Sequence, residues 1–162
     1  MTGALGVRSG PRPATTSRFP HQQLDQQPDD PTLRRRLIAA AAARFDHVHL
    51  KPSGISVPGA RAWVLDPGVP AGPAEAFLTG TEFAHLHPAP DHSLHLALPV
   101  PVVRSAVAAG WAEAHIGIAA GLVAPTVVLL YAPRDDRELT VVLSLLQQSF
   151  RFATKATVSL LR

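Results

Sequence analysis

The sequence predicts an α+β fold: one small domain built on a mostly antiparallel sheet, with helices packed mainly on one face. Three observations carry this expectation. Apolar residues recur at helical spacing behind capping residues near both ends of the domain. Between them, short alternating or β-branched segments are cut by proline and glycine. Finally, 162 residues with 46% hydrophobic content suffice for one core and are too few for two comfortable ones.

Residues 1–29 read as a disordered, proline-rich leader. Arg8, Arg12 and Arg18 stand among prolines and the pairs Gln22-Gln23 and Gln26-Gln27, with no apolar run for a signal-peptide core. The domain is expected over 30–154. Its first helix opens at Asp30-Pro31, an acceptor followed by a residue whose missing N–H does no harm there. From Thr32 to Phe45, Leu33, Leu37, Ala40, Ala41 and Phe45 make one stripe. Arg34, Arg35 and Arg36 are expected on its solvated side, a reading favoured over a phosphate site.

Strands are predicted at His47 to Leu50 and Ala60 to Leu65, with turn chemistry at Asp66-Pro67-Gly68. Val69 to Gly80 reads as loop with one helical turn at Ala74 to Leu78. A helix between Pro99 and Gly110 turns Val103, Ala106 and Val107 inward, and Gly110 stops it. Ile116 to Pro133 carries no charge, but Gly117, Gly121 and Pro125 interrupt it. It reads as a loop followed by a strand at Thr126 to Tyr131, not as a membrane span. Asp135 caps the last helix while Glu138 reaches back, and Leu139, Val142, Leu143, Leu146 and Phe150 form its buried stripe. Residues 155–162 have no assigned place.

Composition excludes several classes. Without cysteine there are no disulfides, thiolate metal sites or cysteine nucleophile. A net charge of +3 is a weak attraction for polyanions, so no nucleic-acid partner is expected. No membrane partner is expected either, and the chain reads as soluble and cytoplasmic.

The segment from Glu82 to Leu98 is the most informative. Four of the eight histidines, His85, His87, His92 and His95, fall within eleven residues. Glu82 to His87 and Ser93 to Leu98 alternate around a five-residue connection, as in a β-hairpin. In a symmetric register His85 faces His95, Leu86 faces Leu94 and His87 faces Ser93. Alternation then gathers His85, His87, His95 and Ser93 on one face, with Leu86, Leu94 and Leu96 on the other.

Spacing leaves three readings open: a half-exposed polar face, a three-histidine metal site with Glu82 or Asp91 in reserve, or metal-free acid/base chemistry. Downstream, Trp111 is a core plug or a pocket wall, and His115 stands at the mouth of the glycine-rich loop. Tyr131 ends the central strand, and Arg134 either anchors an anionic oxygen or pairs with Asp135 or Asp136.

These residues resemble the fungal luciferase domain of luminous mushrooms, which is distinct from the flavin-dependent bacterial luciferases. The shared pattern is Glu82-x-Ala84-His85-x-His87, Asp91, Leu94-His95-Leu96-Ala97-Leu98, Gly110-Trp111, His115 and Leu130-Tyr131-Ala132-Pro133-Arg134. The resemblance implies an oxygenase-like enzyme that joins O2 to a planar hydroxypyrone or phenolic small molecule through a peroxide, without an added cofactor. The family's membrane segment is not expected to carry over. A histidine among His85, His87, His95 and His115 is then the expected base, with Asp91 orienting one ring. Arg134 or a protonated histidine holds the oxyanion, and Trp111 and Tyr131, with Glu82, contact substrate. The alternatives are a divalent iron, zinc or copper ion on His85, His87 and His95, or a non-catalytic binding module.

Overall fold

The computed structural model describes residues 3–154; the expectation for 155–162 falls outside these. In chain order the elements are α1 (Leu33–Ala42), β1 (Val48–Pro52), β2 (Arg61–Leu65), a short helical turn (Ala74–Ala76), β3 (Glu82–Leu86), β4 (Leu94–Ala97), α2 (Val100–Ala108), β5 (Ala112–Ala114), β6 (Val127–Leu130) and α3 (Asp136–Ala153). The strands form one antiparallel sheet in the order β1-β2-β3-β4-β6-β5. The α+β expectation is met. Edge strand β5 is the addition, and at three residues it is too short for any periodicity to announce it.

One face of the sheet carries the core. Trp63, Leu86, Leu94, Leu96, Val128 and Leu130 meet Leu37 and Ala41 of α1, Ala106 of α2, and Val142, Leu145 and Leu146 of α3. Burial of each large aliphatic side chain is worth roughly 1.5–3 kcal/mol, so this layer holds the helices on the sheet. The α3 cap differs from a capping box by one residue. Asp135 Oδ1 accepts from the Glu138 N–H at 2.9 Å, but the Glu138 carboxylate takes the N–H of Arg134 instead of that of Asp135. At α1, Asp30 Oδ1 accepts from the Thr32 N–H at 2.8 Å, and the helix begins at Leu33.

The pairing of β2 with β3 shifts register between Trp63 and Val64, so that Trp63 faces Ala84 and Val64 faces Glu82. Strict alternation would put Glu82 and His85 on opposite faces. The irregularity turns Phe83 into the helix-covered core and leaves Glu82 beside His85. A bulge re-aims a side chain in this way at the cost of one ladder position.

The described part of the leader corrects the expectation of disorder. Arg8, His21 and Gln23 are buried. Arg8 N–H donates to Ala109 O at 2.9 Å, Gln23 Oε1 accepts from the Ala132 N–H at 2.8 Å, and Gln23 N–H donates to Asp91 Oδ2 at 3.3 Å. Thr15 Oγ1 and His21 Nε2 reach the same oxygen of Glu113. The segment has no apolar stripe and is held largely by polar contacts. Its glutamines and hydroxyls satisfy groups that would otherwise be buried without partners.

Gln23→Ala leaves the backbone bond to Asp91 but removes the side-chain bond from the Ala132 N–H, together with those from Nε2 to Asp25 O and Gln26 O. It is expected to lower unfolding free energy by about 1–3 kcal/mol, measured by denaturant titration. Unchanged stability would mean that the leader contributes nothing to the fold.

Candidate active site

The hairpin forms in the symmetric register: His85 pairs with His95, Leu86 with Leu94 and Ala84 with Leu96. His87 N–H donates to Ser93 O at 3.1 Å. Alternation therefore places His85, His87 and His95 together on the face away from the helices, while Leu86, Leu94 and Leu96 enter the core. In the next pairings Leu129 stands opposite both His95 and Glu113, which puts Glu113 in the same row. His115, two residues beyond Glu113, bonds through its N–H to Val127 O at 3.1 Å and joins this face.

His21 comes down from the leader as a fifth imidazole. Ring centroids lie 4.6 Å apart for His87–His95 and His95–His115, 5.1 Å for His85–His95 and His21–His115, and 5.3 Å for His21–His95. The cluster closes one end of a cavity of about 400 Å³. Phe19, Pro20, Ile55, Val57, Leu78, Val123 and Val127 make the remaining wall largely apolar.

The imidazoles are oriented from behind by carboxylates. Glu82 Oε1 lies 2.8 Å from His85 Nδ1, Asp91 Oδ2 lies 2.9 Å from His87 Nδ1, and Glu113 Oε1 lies 2.7 Å from His21 Nε2. Each carboxylate fixes its ring's tautomer by accepting a hydrogen bond from the N–H at that nitrogen. Burial raises the Glu82 carboxyl, but bonds from His85, Ser53 and the Gly54 N–H outweigh it and hold the group below its usual value. At Asp91 burial is likewise outweighed by His87 and Ser93.

Burial pushes His85 down, opposed by Glu82. Burial and the neighbouring His87 and His85 push His95 well down. Burial, then His21, lowers His115 to about 4. His115 Nδ1 accepts the Gly117 N–H at 2.9 Å, which leaves Nε2 as its protonated nitrogen. A Cβ at Gly117 would sit 3.1 Å from both His115 Nδ1 and Phe19 Cζ, so a larger residue there requires these side chains to give by a few tenths of an ångström.

Of the expected site residues, His85, His87, His95 and His115 line the cavity, and Asp91 and Glu82 stand behind them. Trp111, Tyr131 and Arg134 do not line it. Trp111 packs in the core and donates its Nε1–H to Gly6 O at 2.6 Å. Tyr131 is buried, donates to Glu113 Oε2 at 2.9 Å, and carries the Arg8 guanidinium 5.5 Å above its ring. Burial pushes the Tyr131 hydroxyl up to about 12, with the Glu113 contact adding to it. Arg134 pairs with Glu138, not with Asp135 or Asp136, and donates to Ser9 O at 2.8 Å. The leader thus occupies these three residues.

Sequence reasoning missed His21 and Glu113. Nothing in the composition of the leader marks His21. Glu113 was legible only once Ala112 to Ala114 is taken as a strand, because it then shares a face with His115.

The fold and site define a small α+β domain whose sheet presents a carboxylate-backed histidine cluster to a mostly apolar cavity. Residues 80–149 match the family model described as Luciferase domain. Luciferases of Armillaria ostoyae and Armillaria mellea are 32% identical over 163 residues, and that of Neonothopanus nambi is 29% identical. These alignments cover 93% of this chain and 61% of each relative. The chain is thus similar to luciferases of luminous fungi, and it spans about three-fifths of the length of these relatives. No solved structure matches it significantly. Among the described residues no helix is long and apolar enough to cross a membrane.

The depressed histidines set the sign of the pH response. Below about 6.5 an unfolded chain protonates these rings while the folded one does not, so the unfolded state binds more protons. Stability should therefore fall from pH 6.5 toward 4, the level to which His115 is lowered. Denaturant titrations at pH 7.5 and 5 measure this, and a flat or rising profile toward pH 5 contradicts the assignment.

Proposed function

We propose that the cavity binds a planar hydroxypyrone or phenolic molecule and that the histidine wall promotes its reaction with O2. The observation that carries this reading is the polarity of the cavity: imidazole nitrogens at one end and apolar side chains elsewhere. A ring system with an ionisable hydroxyl at one edge matches that division. Phe19, whose ring centroid is 5.8 Å from that of His115, supplies the flat surface that Trp111 and Tyr131 were expected to give.

The substrate hydroxyl gives its proton to an imidazole lone pair, for which His85 Nε2 with Glu82 behind it is best placed. The resulting enolate supplies the electron pair for a new carbon–oxygen bond to O2, leaving a peroxide anion. Oxygen is reduced and the ring oxidised, so the reaction requires no flavin or nucleotide. His115, protonated on Nε2, donates to the developing oxyanion as an uncharged imidazole. The similarity of the chain to fungal luciferases supports chemistry of this kind.

Oxygen uptake with a panel of hydroxypyrones and catechols tests the reading. Turnover is expected, and His85→Gln and His115→Gln should each lower it by about 100-fold or more. Saturable quenching of tryptophan emission by the same compounds without oxygen uptake would identify a non-catalytic binding module instead.

A further inference from the structure

We infer that His85, His87 and His95 form a seat for one divalent first-row transition-metal ion, of the iron(II) or zinc(II) kind, facing the cavity. The protons and lone pairs of these rings balance only with a cation among them. His85 Nε2 and His87 Nε2 each lie 3.1 Å from His95 Nδ1. The opposite nitrogens of His85 and His87 are engaged by Glu82 and Asp91, whose carboxylates accept N–H protons there. Both Nε2 lone pairs therefore point at the single nitrogen of His95.

One proton on His95 Nδ1 can serve only one of those two acceptors well. It would also leave His95 Nε2 as a lone pair facing His21 Nδ1 at 3.4 Å, because His21 Nε2 is turned to Glu113. With a cation between the three nitrogens, every ring position is accounted for. His95 then carries its proton on Nε2 and passes it toward His21 Nδ1, and His21 Nε2–H donates to Glu113. All three rings keep one lone pair for the ion.

The distances agree with this use. Nitrogens each about 2.1 Å from a common ion lie roughly 3.0–3.4 Å apart, close to the two 3.1 Å separations observed. Donor chemistry selects the ion. Three imidazoles suit iron, zinc or copper, whereas magnesium and calcium require oxygen ligands. Carboxylates that fix the far nitrogens are the usual support of histidine ligands, so Glu82 and Asp91 act as positioning residues.

The open side of the seat faces the cavity, leaving room for water or a substrate oxygen. An ion held by His85, His87 and His95 would supply Lewis acidity at this end of the cavity, lowering the pKa of a water or substrate hydroxyl beside it. His85 would then act as a ligand and not as the base. A second trio, His21, His95 and His115, is also compact. It is the poorer seat, because His115 already spends its Nδ1 lone pair on Gly117.

The test is a titration of untagged, chelator-stripped full chain with Zn(II) and with Co(II), followed by calorimetry and by cobalt absorption, without substrate. One saturable site per chain is expected. His85→Asn and His95→Asn should abolish it, and His115→Ala should retain it. Glu82→Gln, which keeps the shape of the side chain, should weaken binding by about 10- to 100-fold. If the ligand variants do not fold, Glu82→Gln and Asp91→Asn carry the test by themselves. Absence of saturable micromolar binding, unchanged affinity in Glu82→Gln, or loss confined to His115→Ala would overturn the assignment. Because no substrate is present, a failed titration leaves the O2 reaction standing, and an inactive but metal-loaded protein leaves the seat standing.

Discussion

An imidazole taken out of water must keep its hydrogen bonds, and it resists charging when other imidazoles surround it. The contacts of Glu82 with His85, Asp91 with His87 and Glu113 with His21 meet that constraint. They hold the rings in a fixed orientation from behind, so that the opposite nitrogens converge in front. The register shift at Trp63/Val64 exists in the service of one of these contacts, since without it Glu82 would point into the core. The leader serves the same constraint from above by delivering His21 and by tying Asp91 through Gln23.

Much of this was legible in the sequence because period-2 alternation is a strong signal when one face is apolar. Leu86, Leu94 and Leu96 fixed the hairpin register, and the positions of His85, His87 and His95 followed. The helices were legible for the same reason, through Leu33, Leu37 and Ala41 in α1 and Val142 and Leu146 in α3. What escaped lacks such a signal. The leader binds through glutamine side chains and backbone groups, which leave no periodicity. Glu82 is re-aimed by a register shift that alternation cannot foresee. Arg134 and Trp111 carry side chains that suit a pocket, but the leader engages both, through Ser9 and Gly6.

The matched family segment, residues 80–149, holds most of the cluster: His85, His87, His95, His115 and the carboxylates of Glu82, Asp91 and Glu113. His21 and Phe19 lie outside it, within the longer alignment to the fungal luciferases. The cavity is therefore a joint product of the matched segment, of Ile55, Val57 and Leu78 ahead of it, and of a polar leader that a domain boundary at residue 80 would cut away. The same arrangement places a region poor in apolar residues over the histidine wall, where Phe19, Pro20 and His21 line the cavity.

The direct measure of the central claim is the protonation pattern of the ring nitrogens, read by long-range proton–nitrogen NMR of stripped protein at pH 7. The account predicts uncharged rings at His85, His95 and His115, with the proton on Nδ1 in His85 and on Nε2 in His115. Rings that titrate with midpoints near 6.5 and exchange freely between tautomers would show that the carboxylates do not orient the cluster, and the account would fail.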